Sequence, residues 1–147
     1  MSAAYVIDGQ LYLNHGGNAK KVDTCTKIVA LSDFANAVIY LNENNEISIY
    51  NRKTEKRTTY STACSLDEIE DIVLDPSGKA FVYHNGNMNT MHLCRDGKLT
   101  NLGALEYMEE IEKVSANGDG VYILGDLYPS LYYFKPSGEK TQLWSVA

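Results

Sequence analysis

Acidic side chains concentrate in two short segments of this 147-residue chain. Eight of the nineteen Asp and Glu residues lie there: Asp67, Glu68, Glu70, Asp71, Glu106, Glu109, Glu110 and Glu112. Carboxylates at this density create a negative field that attracts a basic partner and speeds its association, with a rate that falls as salt rises. The alternative is a pair of solvated loops whose charge maintains solubility. Neither segment has the alternating ligands and central glycine of a calcium loop, so no metal site is predicted.

Residues able to carry out catalysis are present, but they form no recognisable motif. The histidines and cysteines are His15, His84, His92, Cys25, Cys64 and Cys94. The cysteines are widely spaced, with no CxxC pair for zinc. P-loop, dinucleotide-binding, nucleophile-elbow and HExxH motifs do not occur. We therefore predict no cofactor and nominate no catalytic residue, and the sequence favours a non-enzymatic protein without deciding the question.

The elements that must position these residues repeat at intervals of roughly forty residues. An apolar strand, a tight polar turn and a second apolar strand recur at 4–13, 37–50, 80–93 and 121–134. We label these strands b and c. A polar strand d follows each pair, beginning at Lys20, Lys56, Lys98 and Lys140, and an apolar strand a precedes each later pair. A fixed period of this length is typical of β-propeller blades, each of which buries its apolar faces only against neighbours.

The predicted fold is therefore all-β, a β-propeller-like meander of about four antiparallel blades in one domain. The units span approximately 1–25, 26–63, 64–105 and 106–147. They supply fifteen strands, one short of four complete blades, because the first unit lacks strand a. Three explanations of this shortfall compete: a small ring with one short blade, a fragment of a longer propeller, and closure by self-association of several chains.

One segment competes with the all-β interpretation. Residues 104–114 have a helical composition, with Leu105, Met108 and Ile111 spaced for one helix face. We expect a short helical turn between strands d and a, followed by strand a at 113–116; the alternative is a full helix packed on a sheet.

Two stretches resemble propeller blades of the NHL and YWTD type. They are Tyr40-Leu41-Asn42 followed by Ile47-Ser48-Ile49, and the hairpin from Leu74 through Asp75-Pro76-Ser77-Gly78 to Val82. The resemblance covers nearly the whole chain and implies a propeller fold; it identifies no subfamily.

The meander predicts which connections share an edge of the blades. The d-to-a and b-to-c connections meet at one rim, and the c-to-d turns, rich in Arg and Lys, lie at the other. The leading functional hypothesis is a non-catalytic protein-interaction module or scaffold with a basic protein partner on the acidic rim. Its predicted contact residues are Asp67, Glu68, Glu106, Glu109 and Glu110, with Leu127 and Tyr128 as an apolar anchor in the fourth b-to-c loop.

The b-to-c loops also support an alternative hypothesis, a lectin-like carbohydrate-binding module. Asn and Asp beside aromatic rings are typical of sugar sites, although the same residues form ordinary turns. The predicted ligand-binding residues are Asn44, Asn45, His84, Asn85, Asn87 and Asp126.

Bulk properties restrict the partners further. A net charge of −6 disfavours nucleic acid, whose phosphates require clustered Lys and Arg. No apolar run approaches the length of a membrane span, so we expect no membrane partner. The odd, dispersed cysteines favour a reducing compartment, and hence a cytoplasmic location; the alternative is an extracellular protein or an excised fragment of a longer one.

Overall fold

The computed structural model describes residues 2–32, 36–60, 69–75, 79–106, 109–114, 120–125, 130–135, 137 and 139–145. The strands are β1 (Ser2–Ile7), β2 (Gln10–His15), β3 (Asn18–Thr24), β4 (Lys27–Leu31), β5 (Ala37–Leu41), β6 (Ile47–Asn51), β7 (Lys56–Tyr60), β8 (Ile69–Leu74), β9 (Ala80–Asn85), β10 (Thr90–Arg95), β11 (Lys98–Ala104), β12 (Glu109–Val114), β13 (Val121–Gly125), β14 (Ser130–Phe134) and β15 (Lys140–Ser145). Within these ranges there is no helix with the length and hydropathy to cross a membrane.

The strands form four antiparallel sheets in which neighbours in the chain are neighbours in space. Sheet 1 contains β1–β3, sheet 2 contains β4–β7, sheet 3 contains β8–β11 and sheet 4 contains β12–β15. The predicted all-β meander of about four blades, the first incomplete, is confirmed. Sheets 1 and 2 form a compact N-terminal unit and sheets 3 and 4 a compact C-terminal unit. The single repeat domain stays a prediction.

Alternation along the strands builds the core of the N-terminal unit. Leu11 and Leu13 lie on the same face of β2, because side chains two positions apart point the same way. Both are buried, and they pack with Val38, Tyr40 and Tyr50 of sheet 2. Burying each leucine stabilises the fold by roughly 1.5–3 kcal/mol. Sheet 1 is therefore held to sheet 2 chiefly by one apolar face of each.

The core of the C-terminal unit follows the same plan. Val82 and Leu93 face each other across β9 and β10 and are almost fully buried. They pack with Ile111, Ile123 and Phe134 of sheet 4. The blades of each unit thus bury apolar surface against a neighbour, which is the property that the sequence repeat predicts.

β-Bulges recur in strands a and d and were not predicted from the sequence. In sheets 1, 3 and 4, one residue of strand d has no partner in strand c. In sheets 2, 3 and 4, one residue of strand a has no partner in strand b. The omitted residues are Val22, Leu102 and Leu143 in strand d, and Val29, Glu70 and Glu112 in strand a. A bulge turns the following side chains to the other face and increases the local twist.

Three local predictions are wrong. The alternative of a full helix at 104–113 fails because β11 ends at Ala104 and β12 occupies 109–114. Strand a of the fourth unit therefore begins at Glu109 and not at residue 113, so Glu109, Glu110 and Glu112 belong to a strand and not to a connection. His84 and Asn85, predicted to lie in a b-to-c loop, belong to a strand, because β9 continues through Asn85 and the turn lies at 86–89.

Candidate partner-binding rim

In the C-terminal unit, the b-to-c turn of sheet 3 meets the connection that leads into sheet 4. Asn89 Nδ2 donates a hydrogen bond of 2.6 Å to the Leu105 carbonyl oxygen. The backbone of Leu105 donates in return to the Asn89 carbonyl oxygen at 3.3 Å. These bonds place the two connections at one rim, as the meander predicts.

The turn at 86–89 is fixed by side chains from within it. The Asn85 Oδ1 atom accepts from the backbone N–H groups of Asn87 and Met88, at 3.0 and 3.1 Å. Asn89 adopts a positive φ of 55°, which asparagine tolerates better than most residues. Met88 is consequently held at the tip, with 59% of its surface exposed.

Glu70 covers the other side of the same turn. It is the residue that the bulge of β8 leaves unpaired, and its side chain lies against Gly86, where a Cβ atom would collide with the carboxylate. Its Oε2 atom lies 3.6 Å from His84 Nδ1, while His84 Nε2 lies 2.9 Å from Asn89 Oδ1. Glu70 remains 65% exposed, so its carboxylate is presented to solvent beside the turn.

The acidic residues that precede and begin β12 divide into exposed and buried ones. Glu106 is 79% exposed, whereas the Glu109 side chain is only 5% exposed. Glu109 Oε2 lies 2.7 Å from Lys140 Nζ, which also sits 4.4 Å from the centre of the Tyr132 ring. The charge of Glu109 is therefore balanced by Lys140 inside the unit. Lys140 was expected at the basic rim, but its ammonium group contacts a residue of the acidic rim.

These contacts define a surface that we call the Met88 patch: Met88, Glu70 and Glu106. Glu110 and Glu112, also exposed, lie in the adjoining strand β12. The patch combines one flexible apolar side chain with carboxylates that project into solvent.

The N-terminal unit has a corresponding rim. Cys25 N–H donates to the Gly9 carbonyl oxygen at 2.9 Å, and Thr26 Oγ1 donates to the Asn42 carbonyl oxygen at 3.0 Å. Beside these bonds lies an open groove of about 540 Å³. It is lined by Val6, Asp8, Gly9, Gln10, Thr24, Cys25, Thr26 and Glu43. Its lining is mostly small and polar, and its exposed apolar side chain, Val6, is 36% exposed against 59% for Met88.

The predicted site residues are only partly brought together. Asp67, Glu68, Asp126, Leu127 and Tyr128 lie outside the described residues. Of the predicted sugar-binding residues, Asn44 and Asn45 belong to the N-terminal unit, and His84, Asn85 and Asn87 belong to the C-terminal unit. Asn85 is 1% exposed, and its Oδ1 atom is already used inside the turn.

Sequence reasoning missed Met88 and the role of Lys140 beside the patch, and it counted Glu70 in an acidic segment without naming it as a contact residue. The run Asn85-Gly86-Asn87-Met88-Asn89 contained the available signal, because a methionine among turn-forming residues has no apolar neighbour to pack on. No sequence signal indicated that Lys140 would reach Glu109, since the two are thirty-one positions apart.

The described residues contain no cluster of three or more His, Cys, Asp or Glu side chains arranged as metal ligands. Cys25 and Cys94 are free and buried, and burial raises the pKa of both thiols. Raised thiol pKa values disfavour the reactive thiolate at neutral pH. Neither cysteine therefore has the environment of a nucleophile.

No protein-family model and no curated protein sequence matches this chain. Solved structures do match. Tricorn protease has a TM-score of 0.58 at 18% identity, over 96% of this chain and 15% of its own. Hsv2 of Kluyveromyces lactis has a TM-score of 0.54 at 13% identity, over 91% of this chain and 48% of its own.

Tricorn protease and Hsv2 are β-propeller proteins. The fold of this chain is of the β-propeller type. The acylaminoacyl peptidase of Pyrococcus horikoshii also matches, with a TM-score of 0.50 at 11% identity, over 92% of this chain and 27% of its own. This chain thus spans less than half the length of each of these proteins. At such identities the likeness establishes the fold alone.

Proposed function

We propose that the protein is a non-catalytic interaction module that binds a basic protein segment through the Met88 patch. The observation that carries the proposal is an apolar side chain, 59% exposed, at the tip of a turn that contacts Glu70 on one side and the segment carrying Glu106 on the other; both carboxylates are exposed. A segment with one apolar residue flanked by Lys or Arg matches this arrangement.

The chemistry of the patch suits such a partner. Methionine is unbranched and polarizable, so it adapts to differently shaped apolar side chains. Glu70 and Glu106 are 65% and 79% exposed. Glu106 Oε2 lies 3.8 Å from Lys140 Nζ, but Lys140 is shared with the buried Glu109, so both exposed carboxylates would attract a cation at the edge of that contact. Rim charges of this kind govern mainly the association rate and its salt dependence, while the apolar anchor contributes more to residence time.

The rigidity of the turn favours binding as well. Asn85, His84 and Leu105 fix the turn from three directions by hydrogen bonds within the unit. Little conformational entropy remains to be lost on association, which is the advantage of a preorganised site. The net charge of −6 adds a weak long-range attraction for basic partners.

A peptide-display selection against the immobilised protein tests the proposal. We expect enrichment of Lys- and Arg-containing peptides with one apolar residue, and binding that weakens as salt rises. The variant M88S/E70Q/E106Q should lose these peptides. The control L31S/E55Q/E139Q replaces one exposed apolar residue and two exposed glutamates outside the patch, since Leu31 is 49%, Glu55 64% and Glu139 61% exposed.

Equal enrichment by wild type and the patch variant would refute the proposal. Salt-insensitive binding on a glycan array, with no peptide enrichment, would favour the carbohydrate-binding alternative. The engagement of the Asn85 side chain within its own turn gives that alternative less support.

A further inference from the structure

Exposed large apolar side chains concentrate at the two ends of the repeat. Among the described residues, six are exposed, and four of these lie in the first and last strands: Val6, Ile7, Leu143 and Trp144. At each end, the outer face of the last sheet is exposed. The equivalent face of the neighbouring sheet in the same unit is buried in a contact between sheets.

The end face of sheet 4 repeats the face with which sheet 3 contacts sheet 4. In β13 and β14, Ile123 points into the unit, and the cross-strand pair Tyr122 and Tyr133 lies on the opposite face, with ring centres 5.0 Å apart. Leu143 in β15 and Leu102 in β11 are equivalent, because each is the residue that the bulge of its strand leaves unpaired. Leu102 is 2% exposed against sheet 4, whereas Leu143 is 51% exposed. We call this surface, which also carries Leu131 and Trp144, the downstream face.

The end face of sheet 1 repeats the face with which sheet 2 contacts sheet 1. Leu11 and Leu13 point toward sheet 2, so the alternate pair Tyr5 and Tyr12 lies on the opposite face, with rings stacked 5.7 Å apart. The equivalent cross-strand pair in sheet 2 is Tyr40 and Ser48, and Tyr40 is fully buried against sheet 1. Tyr5 and Tyr12, together with Ile7 and Asn14, form the upstream face.

The two faces also match in polar chemistry. On the upstream face, the buried Oδ1 atom of Asn14 has no hydrogen-bond partner among the described residues. The downstream face carries hydrogen-bond donors in Tyr122, Tyr133 and Trp144. Charge is complementary too, because the register places exposed Glu110 beside Leu124 on the downstream side and exposed Lys21 beside Tyr12 on the upstream side.

We propose that the downstream face of sheet 4 in one copy of this chain docks on the upstream face of sheet 1 in a second copy. The contact would be head-to-tail, because it repeats the contact within each unit, where the downstream face of one sheet packs on the upstream face of the next. A sheet of four strands and about five residues covers on the order of 300 Å². That is less than the roughly 800 Å² per partner of a stable complex, so the association is reversible and depends on concentration.

Sedimentation velocity over a range of protein concentrations tests the proposal. One variant, L143E/W144E, blocks the downstream face; another, I7E/Y12E, blocks the upstream face. The control L31E/M88E adds the same two charges at exposed apolar residues that belong to neither end face. We expect wild type and control to associate as concentration rises, and each blocked variant to lose association by about tenfold or more, because a carboxylate would be desolvated in an apolar contact.

Mixing the two blocked variants distinguishes head-to-tail from symmetric pairing. Each retains one intact face, so an equimolar mixture should form a one-to-one complex that neither variant forms alone. Circular dichroism confirms that the variants fold, and glutamine replaces glutamate at these positions if they do not. Wild type that stays monomeric throughout, association unaffected by either block, or a mixture that fails to form the complex would each overturn the proposal.

Discussion

The two units solve the same packing problem with different chemistry at one repeat position. In sheet 1 the residue after the strand d bulge is Asp23, and in sheet 3 it is Gly103. Asp23 accepts a hydrogen bond of 2.5 Å from the Tyr40 hydroxyl and lies 3.1 Å from Arg57. At Gly103, by contrast, the Phe134 ring approaches to 3.5 Å from the place a Cβ would occupy.

The difference shows that the repeated backbone determines where two blades contact each other. It does not determine which side-chain interactions stabilise that contact. The N-terminal contact adds a directional polar link to its apolar core, and burial together with the Asp23 hydrogen bond raises the pKa of Tyr40. The C-terminal contact relies on ring packing over a residue without a side chain. The first should respond to loss of a charge or hydrogen bond, and the second to loss of volume.

The largest effect should come from removing that ring. Phe134 is 8% exposed and lies in the C-terminal core, so Phe134→Ala should lower the free energy of unfolding by about 3–5 kcal/mol. Urea unfolding followed by fluorescence of Trp144, the single tryptophan of the chain and part of the same unit, measures it. Phe134→Leu retains most of the volume and should cost less than half as much. Equal losses for the two variants would show that volume does not hold this contact.

The polar link of the N-terminal unit should be worth less. Asp23→Ala leaves the buried Tyr40 hydroxyl without its acceptor and should destabilise the protein by about 1–3 kcal/mol. Asp23→Asn retains one acceptor oxygen for Tyr40. It loses the attraction to the half-exposed Arg57 and the oxygen that accepts from the Thr24 backbone N–H, so it should still cost less than Asp23→Ala. Urea unfolding measured by far-ultraviolet circular dichroism gives both values. A loss for Asp23→Asn as large as that for Asp23→Ala would mean that the charge, and not the hydrogen bond, stabilises the contact.

The sequence predicted the repeated strands because alternation and turn residues are local signals, as in 37–50. It could not predict the bulges, since the residue that a register skips, such as Leu102, is selected by packing against the next blade. The glutamate-rich start of β12 has a helical composition that tertiary packing overrides, because Ile111 and Val114 are buried. The burial of Glu109 depends on the distant Lys140, which a local pattern does not reveal.

A smaller effect should come from giving Gly103 a side chain. Its φ is +105°, so Gly103→Ala should cost about 1–2 kcal/mol from backbone strain, while the new Cβ would make ordinary contact with Phe134. A double-mutant cycle with Phe134→Ala, measured by urea unfolding, separates the two causes. Additive costs would place the strain in the backbone. An alanine tolerated only after the ring is removed would instead identify a steric conflict with Phe134.

The smallest effect is a difference in pH response at another shared position. Tyr83 pairs with His92 in sheet 3 where Tyr40 pairs with Ser48 in sheet 2. His92 is 7% exposed and stacks on Tyr83, and burial, followed by the charge of His84, lowers the pKa of His92 below 6.5.

As pH falls, His92 therefore becomes protonated at a higher pH in the unfolded chain than in the folded protein. The contribution of a neutral His92 is fully present above the unfolded pKa and is lost as pH falls from there through the folded value. The loss should be no steeper than about 1.4 kcal/mol per pH unit. Urea unfolding of wild type and His92→Phe between about pH 8 and about pH 5 should show wild type losing more stability. Parallel curves would mean that His92 does not make the C-terminal unit acid-sensitive, and that sheets 2 and 3 differ at this position in packing alone.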